Sequence, residues 1–119
     1  MLIPLLFATA VALAGDWHGT SLCTNLKLLP GCHDETVVYH FTPKGGLVHI
    51  SADKIADGKP QNVGEFDLTQ KGNRLTYEMT DRQGRRSLWD FTVKGSRMTG
   101  VLKMLPSGDV VRKIDVTRR

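Results

Sequence analysis

The stretch "GDWHGTSLCTNLKLLPGCHDETVVYHF", residues 15–41, gathers His18, Cys23, Cys32, His33, Asp34, Glu35 and His40. Side chains of these types hold metals, move protons or cross-link a chain. Zinc takes thiolate and imidazole ligands in a tetrahedron. The two cysteines with His18, His33 and His40 are of that kind. Their spacing is not that of a paired C-x-x-C site. Cys32 and His33 are adjacent, and neighbours in an extended chain point to opposite sides. A turn at Pro30-Gly31 would relax that objection without supplying a metal pattern. His33-Asp34-Glu35 carries acid–base groups, but catalysis requires groups that converge in space. A consecutive run reads instead as a loop leading into a strand. No G-x-S-x-G, phosphate-binding glycine loop, H-E-x-x-H or calcium loop occurs elsewhere. We assign no catalytic residue, no cofactor and no enzymatic activity from sequence.

The compartment decides what two cysteines do. Residues 1–14, "MLIPLLFATAVALA", are uncharged and almost wholly apolar. Spanning a bilayer takes about 20 residues, so no transmembrane segment is expected. Ala12-Leu13-Ala14 fits the small-x-small cleavage pattern of a secretory signal peptide, although no Lys or Arg precedes the apolar run. The expectation is a signal peptide over 1–14 and one domain over 15–119, secreted or periplasmic. In an oxidising compartment Cys23 and Cys32 pair readily. The loop they close, about ten residues, is worth roughly 2.5–3 kcal/mol in the chain-entropy model.

Sixteen basic residues stand against 12 acidic ones, for a net charge of +4. The excess is scattered except at Arg85-Arg86 and Arg118-Arg119. No basic run carries interleaved aromatics, which argues against nucleic acid.

The elements that position these residues are strands. Apolar and polar residues alternate with period two between Gly, Pro, Asn and Asp turns. Eight strands are expected, at about 16–23, 36–42, 46–52, 62–70, 74–80, 86–93, 97–104 and 109–117. A Lys44-Gly45 turn would oppose Phe41 to Val48, Tyr39 to Ile50 and Val37 to Ala52. It would also set His40 opposite His49 on the outer face, Cβ atoms about 5 Å apart. Two imidazoles at that spacing are a candidate half of a metal site, though no third ligand is identifiable. A Gly72-Asn73 turn opposes Leu68 to Tyr77 and Phe66 to Met79. A Gly95-Ser96 turn opposes Val93 to Met98, Phe91 to Gly100 and Trp89 to Leu102. Around "LPSGD", Met104 would meet Val110 and Gly100 would meet Ile114, with Arg112 inward opposite Leu102. Residues 52–62 hold either a turn at Asp57-Gly58 or a longer loop.

Sequential antiparallel hairpins predict an all-β fold, an eight-stranded up-and-down barrel whose closure removes exposed edges. A β-sandwich is the alternative. Gly15-Asp16-Trp17 at the start of the first strand resembles the G-x-W signature of lipocalins and the wider calycin superfamily. That resemblance implies a small exported calycin-like barrel, akin to bacterial exported proteins of unknown role. It further implies that an inward Arg of the last strand packs over Trp17, and Arg112 matches that position. Thr80-Asp81-Arg82 is a partial echo of the T-D-Y motif.

The inward series then includes Tyr39, Phe41, Phe66, Tyr77, Trp89, Phe91, Met98 and Met104, a lining suited to a small apolar ligand with one polar end. Crowding by these side chains is the opposing consideration. The expected function is non-enzymatic binding in the barrel interior. The alternative is an interaction or inhibitor-type barrel that meets a protein partner through a loop such as 53–62. Oligomeric state is not readable.

Overall fold

The computed structural model describes residues 13–119. Among the described residues eight strands follow one another without a helix: β1 (Gly15–Cys23), β2 (Glu35–Lys44), β3 (Leu47–Ala56), β4 (Lys59–Lys71), β5 (Arg74–Thr80), β6 (Arg86–Lys94), β7 (Arg97–Leu105) and β8 (Asp109–Arg118). Each pairs antiparallel with the next, and β8 returns to β1, closing the barrel. The fold class read from the alternation is the one observed. Residues 1–12, most of the segment read as a signal peptide, lie outside the described residues. Leu13 is buried in the core, and its carbonyl accepts a 3.1 Å hydrogen bond from Trp17 Nε1.

At one hairpin the expected register is the one observed throughout. At Gly95-Ser96, Val93 opposes Met98, Phe91 opposes Gly100 and Trp89 opposes Leu102. Phe91 fills the space over Gly100, since a Cβ there would come within 2.4 Å of the ring.

Three expectations need correction. The β2–β3 turn is Gly45-Gly46, which pairs Lys44 with Leu47 and opposes Phe41 to Ile50, Tyr39 to Ala52 and Val37 to Lys54. A two-residue slide keeps every apolar side chain on the same face, so alternation alone cannot detect it. Turn chemistry decides: Gly45 takes φ 62°, a left-handed value at the first turn position that a Lys44-Gly45 turn would have imposed on lysine. Second, Met104 opposes Asp109 rather than Val110, because a bulge beside Leu102 gives β8 an extra residue. Leu102 still faces Arg112, and Gly100 still faces Ile114. Third, β3 and β4 run past their expected ends at 52 and 62, and of the two alternatives for residues 52–62 the turn at Asp57-Gly58 is the one observed. Ala56 pairs with Lys59 across Asp57-Gly58, and both turn residues have positive φ. A bulge between Ala52 and Asp53 skips Val63, which is left 52 % exposed.

The core divides along the barrel axis. At the end bearing the Gly45, Gly72 and Gly95 turns, Trp17, Leu68, Leu75, Met98 and Val116 are fully buried. Toward the other end Phe66, Tyr77 and Trp89 are only partly buried. The strand ladder differs as well. β4 pairs with β5 through three residue pairs only, Thr69–Thr76, Gln70–Leu75 and Lys71–Arg74. Beyond these the two strands diverge, and the Phe66–Tyr77 ring stack, 4.6 Å between centroids, spans the seam instead.

Candidate functional site

β2 turns residues 35, 37, 39 and 41 inward, and β6 turns Trp89 and Phe91 inward to meet them. Where β4 and β5 separate, this leaves a half-enclosed cavity of about 270 Å³. Its walls are largely aromatic: Tyr39, Phe66, Tyr77, Trp89 and Phe91. Val63, Gly64 and Met79 border it on the β4–β5 side, and Glu35 at the disulfide end. Trp89 and Phe91 lie nearly parallel at 6.0 Å, and Tyr39 meets Phe91 edge-on at 6.3 Å. Trp89 Nε1 is buried without a hydrogen-bond partner among the described residues.

Five of the eight side chains named for the interior therefore meet at one cavity. Three do not line it. Phe41 packs edge-on against Trp17, ring centroids 6.2 Å apart, and Met98 is fully buried in the packed half. Met104 is half-buried near the end of β7 and is absent from the lining. The cause is the uneven filling of the barrel: the same inward face is solid at one end and hollow at the other.

A polar cluster adjoins the cavity. Arg112 donates to the Ser21 carbonyl at 3.3 Å, the Ser21 hydroxyl at 3.1 Å and the His33 carbonyl at 3.1 Å. Its contact with the Glu35 carboxylate is 3.8 Å, longer than a hydrogen bond. Burial pushes the Tyr39 phenol well above its usual pKa, and the Glu35 carboxylate adds to this against the opposing effects of Arg112 and a hydrogen bond with Ser21. Arg112 is thus inward, as its register demands, but it does not cover Trp17. Arg118 does, with Cζ 5.1 Å from the ring centroid and directly across from Trp17 in the β1–β8 ladder. Residues 112 and 118 both satisfy the period-two rule, and only the β1–β8 register tells them apart.

The opening cluster separates into unrelated parts. Cys23 and Cys32 form a disulfide, Cα atoms 6.1 Å apart. Asp34 accepts the Cys23 backbone N–H at 2.8 Å, and Thr24 ties the loop to the Val110 and Val111 carbonyls. No group of three or more His, Cys, Asp or Glu side chains is arranged for a metal among the described residues. His40 and His49 do not face each other: His40 opposes Ser51, and His49 opposes Thr42. Each is instead held between two carboxylates on the outer face. His40 bonds Asp16 at 2.7 Å and Asp53 at 2.9 Å, and His49 bonds Asp67 at 2.8 Å and Glu65 at 2.9 Å. Both pKa values are raised, by Asp16 and then Asp53 for His40, and by Glu65 and then Asp67 for His49. The sequence signal for these clamps was the acids directly opposite, Asp16 across from His40 and Asp67 across from His49.

The remaining charges are largely paired. Arg85 bonds Asp81, Arg86 bonds Glu78, Arg74 bonds Asp90 and Arg97 bonds Asp115. Asp81, the middle of the T-D-Y echo, organises its own turn by accepting the backbone N–H groups of Gln83 and Arg85. A larger concavity, about 630 Å³, is an open trough on the outer wall between Arg74 and Lys113. It gathers no convergent apolar lining comparable to the interior cavity.

No family model and no curated protein matches the sequence. Among solved structures, the chain resembles a "secretary abundant heat soluble (SAHS) protein" from Ramazzottius varieornatus. The TM-score is 0.51 at 16 % identity, over 89 % of this chain and 94 % of that one. The likeness shows the fold alone, a small β-barrel.

Proposed function

We propose that the protein is an exported, non-enzymatic binding domain that takes a small apolar ligand into the barrel interior. The observation that carries this reading is the half-enclosed aromatic cavity of about 270 Å³ opening where β4 and β5 part. Apolar concavities with a few placed polar groups are the usual form of ligand sites. At this volume the ligand is small. The disulfide fits an oxidising compartment, which supports export. The predominantly apolar lining supports binding over catalysis. Among the described residues no helix is long and apolar enough to cross a membrane.

The test is a titration with a neutral naphthalene fluorophore, 6-propionyl-2-(dimethylamino)naphthalene. Saturable one-to-one binding that quenches tryptophan emission and is displaced by 1-octanol supports the reading. Absence of saturable, displaceable binding would sink it.

A further inference from the structure

We propose that the cavity selects an organic cation, an apolar body carrying an ammonium group that sits beside Glu35 and against the aromatic walls. This rests on the ligand-binding reading above and names the chemistry of the ligand.

Three features of the site converge on a positive head group. The first is the wall. Tyr39, Phe66, Tyr77, Trp89 and Phe91 present five rings to one small space. Aromatic rings carry a negative quadrupolar face that attracts ammonium, most strongly where water is excluded. The indole N–H of Trp89 is covered, so the cavity meets the carbon surface of that ring.

The second is the charge of the lining. No Lys, Arg or His lines the cavity. Glu65 borders it, but its carboxylate turns outward to His49. Glu35 is the acid on the inward series of β2, and its side chain is 23 % exposed. An anionic ligand would meet this carboxylate, and the nearby cation, Arg112, lies outside the lining with its N–H groups turned to Ser21 and His33. Burying such a charge unpaired is strongly unfavourable.

The third is the loose hold on Glu35. Its nearest basic group, Arg112, stands at 3.8 Å. The N–H groups of Arg112 are directed to Ser21 and the His33 carbonyl. Glu35 therefore keeps a carboxylate face that a ligand ammonium can approach as a counter-charge, and Arg112 need not move. The whole chain, at +4, attracts anions in bulk. A preference for cations must then come from the cavity itself, which makes it diagnostic.

The experiment compares three eight-carbon ligands on the full-length protein by tryptophan fluorescence and calorimetry: octyltrimethylammonium, octanoate and 1-octanol. The expected order places octyltrimethylammonium about tenfold or more ahead of octanoate, with 1-octanol between. Glu35→Gln should cut octyltrimethylammonium affinity about tenfold and leave 1-octanol unchanged. The unchanged 1-octanol binding also reports that the variant is folded. Tyr77→Leu, which removes one ring from the wall, should weaken the cation more than the alcohol. Octanoate binding as tightly as octyltrimethylammonium, or Glu35→Gln leaving the cation unaffected, overturns the cation preference and leaves the ligand-binding reading standing. Failure of all three ligands and of the neutral fluorophore overturns both.

Discussion

The two tryptophans sit on the same inward surface of one barrel, yet their surroundings are opposite. Trp17 is fully buried, its N–H is bonded to the Leu13 carbonyl, and Arg118 covers its face. Trp89 is partly buried, its N–H is unpaired, and its ring borders a cavity. Around Trp17 the ladder is continuous and the core is filled. Around Trp89 the β4–β5 ladder has ended and ring stacking carries the seam. One end of the barrel is thus built for stability, and the other gives some of it up for space. The disulfide belongs to the hollow end, where Cys23 leaves β1 beside Arg112 of β8.

That contrast can be broken most directly at the tryptophans. Trp17→Ala should cost about 3–5 kcal/mol, the usual range for removing a buried large aromatic. Trp89→Ala should cost about half as much or less, because its ring is already partly solvated and borders empty space, while abolishing fluorophore binding. Urea unfolding monitored by circular dichroism checks both. Equal costs would mean the two ends are packed alike. Next in size is the staple. Replacing Cys23 and Cys32 by Ser should remove roughly 2.5–3 kcal/mol. Hydrogen exchange should quicken at the start of β2 and the end of β1 before it does around Val116 and Met98.

The two inward arginines of β8 come next. Arg112→Met leaves the Ser21 hydroxyl and two carbonyls without their donor and should cost about 1–3 kcal/mol. Arg118→Met removes a cation from an aromatic face and should cost about 1 kcal/mol. A larger loss at 118 than at 112 would mean that the cover over Trp17 matters more than the hydrogen bonds of Arg112.

The smallest effect lies on the outer wall. The raised pKa values of His40 and His49 add stability that is fully present below 6.5 and fades as pH rises through the folded values. Asp67, whose pKa is lowered by His49 and then Lys44, contributes above 3.8 and loses its share as pH falls through its folded value. The clamps therefore help most between those limits. Replacing both histidines by Gln should flatten the stability profile above pH 6.5, read as thermal midpoints across a pH series. An unchanged slope would remove the clamps from the account.

How much of this the sequence carried depends on what kind of signal was asked for. Strand number, the barrel and the disulfide followed from period-two alternation, turn glycines and two cysteines a short way past an apolar N-terminal stretch. The Phe91–Gly100 pair was legible because a missing side chain and a large one fell opposite each other. That His40 and His49 do not pair was not recoverable from alternation, since a two-residue slide preserves the faces and exchanges the partners. Arg112 and Arg118 were likewise equivalent by parity. The cavity was the least legible feature. The continued register set Leu68 opposite Tyr77 and Phe66 opposite Met79, and neither pair forms: the backbones part beyond Thr69, which nothing in the residue types says. That separation depends on how eight strands share one interior, a property of the whole circle rather than of any hairpin.

The position of the gap has a kinetic consequence. The barrel is closed by β1 and β8, the strands most distant in sequence, through seven residue pairs. Its weakest seam joins two strands tethered by the Gly72-Asn73 turn. Re-forming pairs beside a tight turn costs little loop entropy, whereas rejoining the chain ends would cost far more. Hairpins form in about 1–10 μs. The gap can therefore widen and reclose on that timescale while the distant closure stays intact, so exchange between interior and solvent is set by a local breathing motion rather than by unfolding.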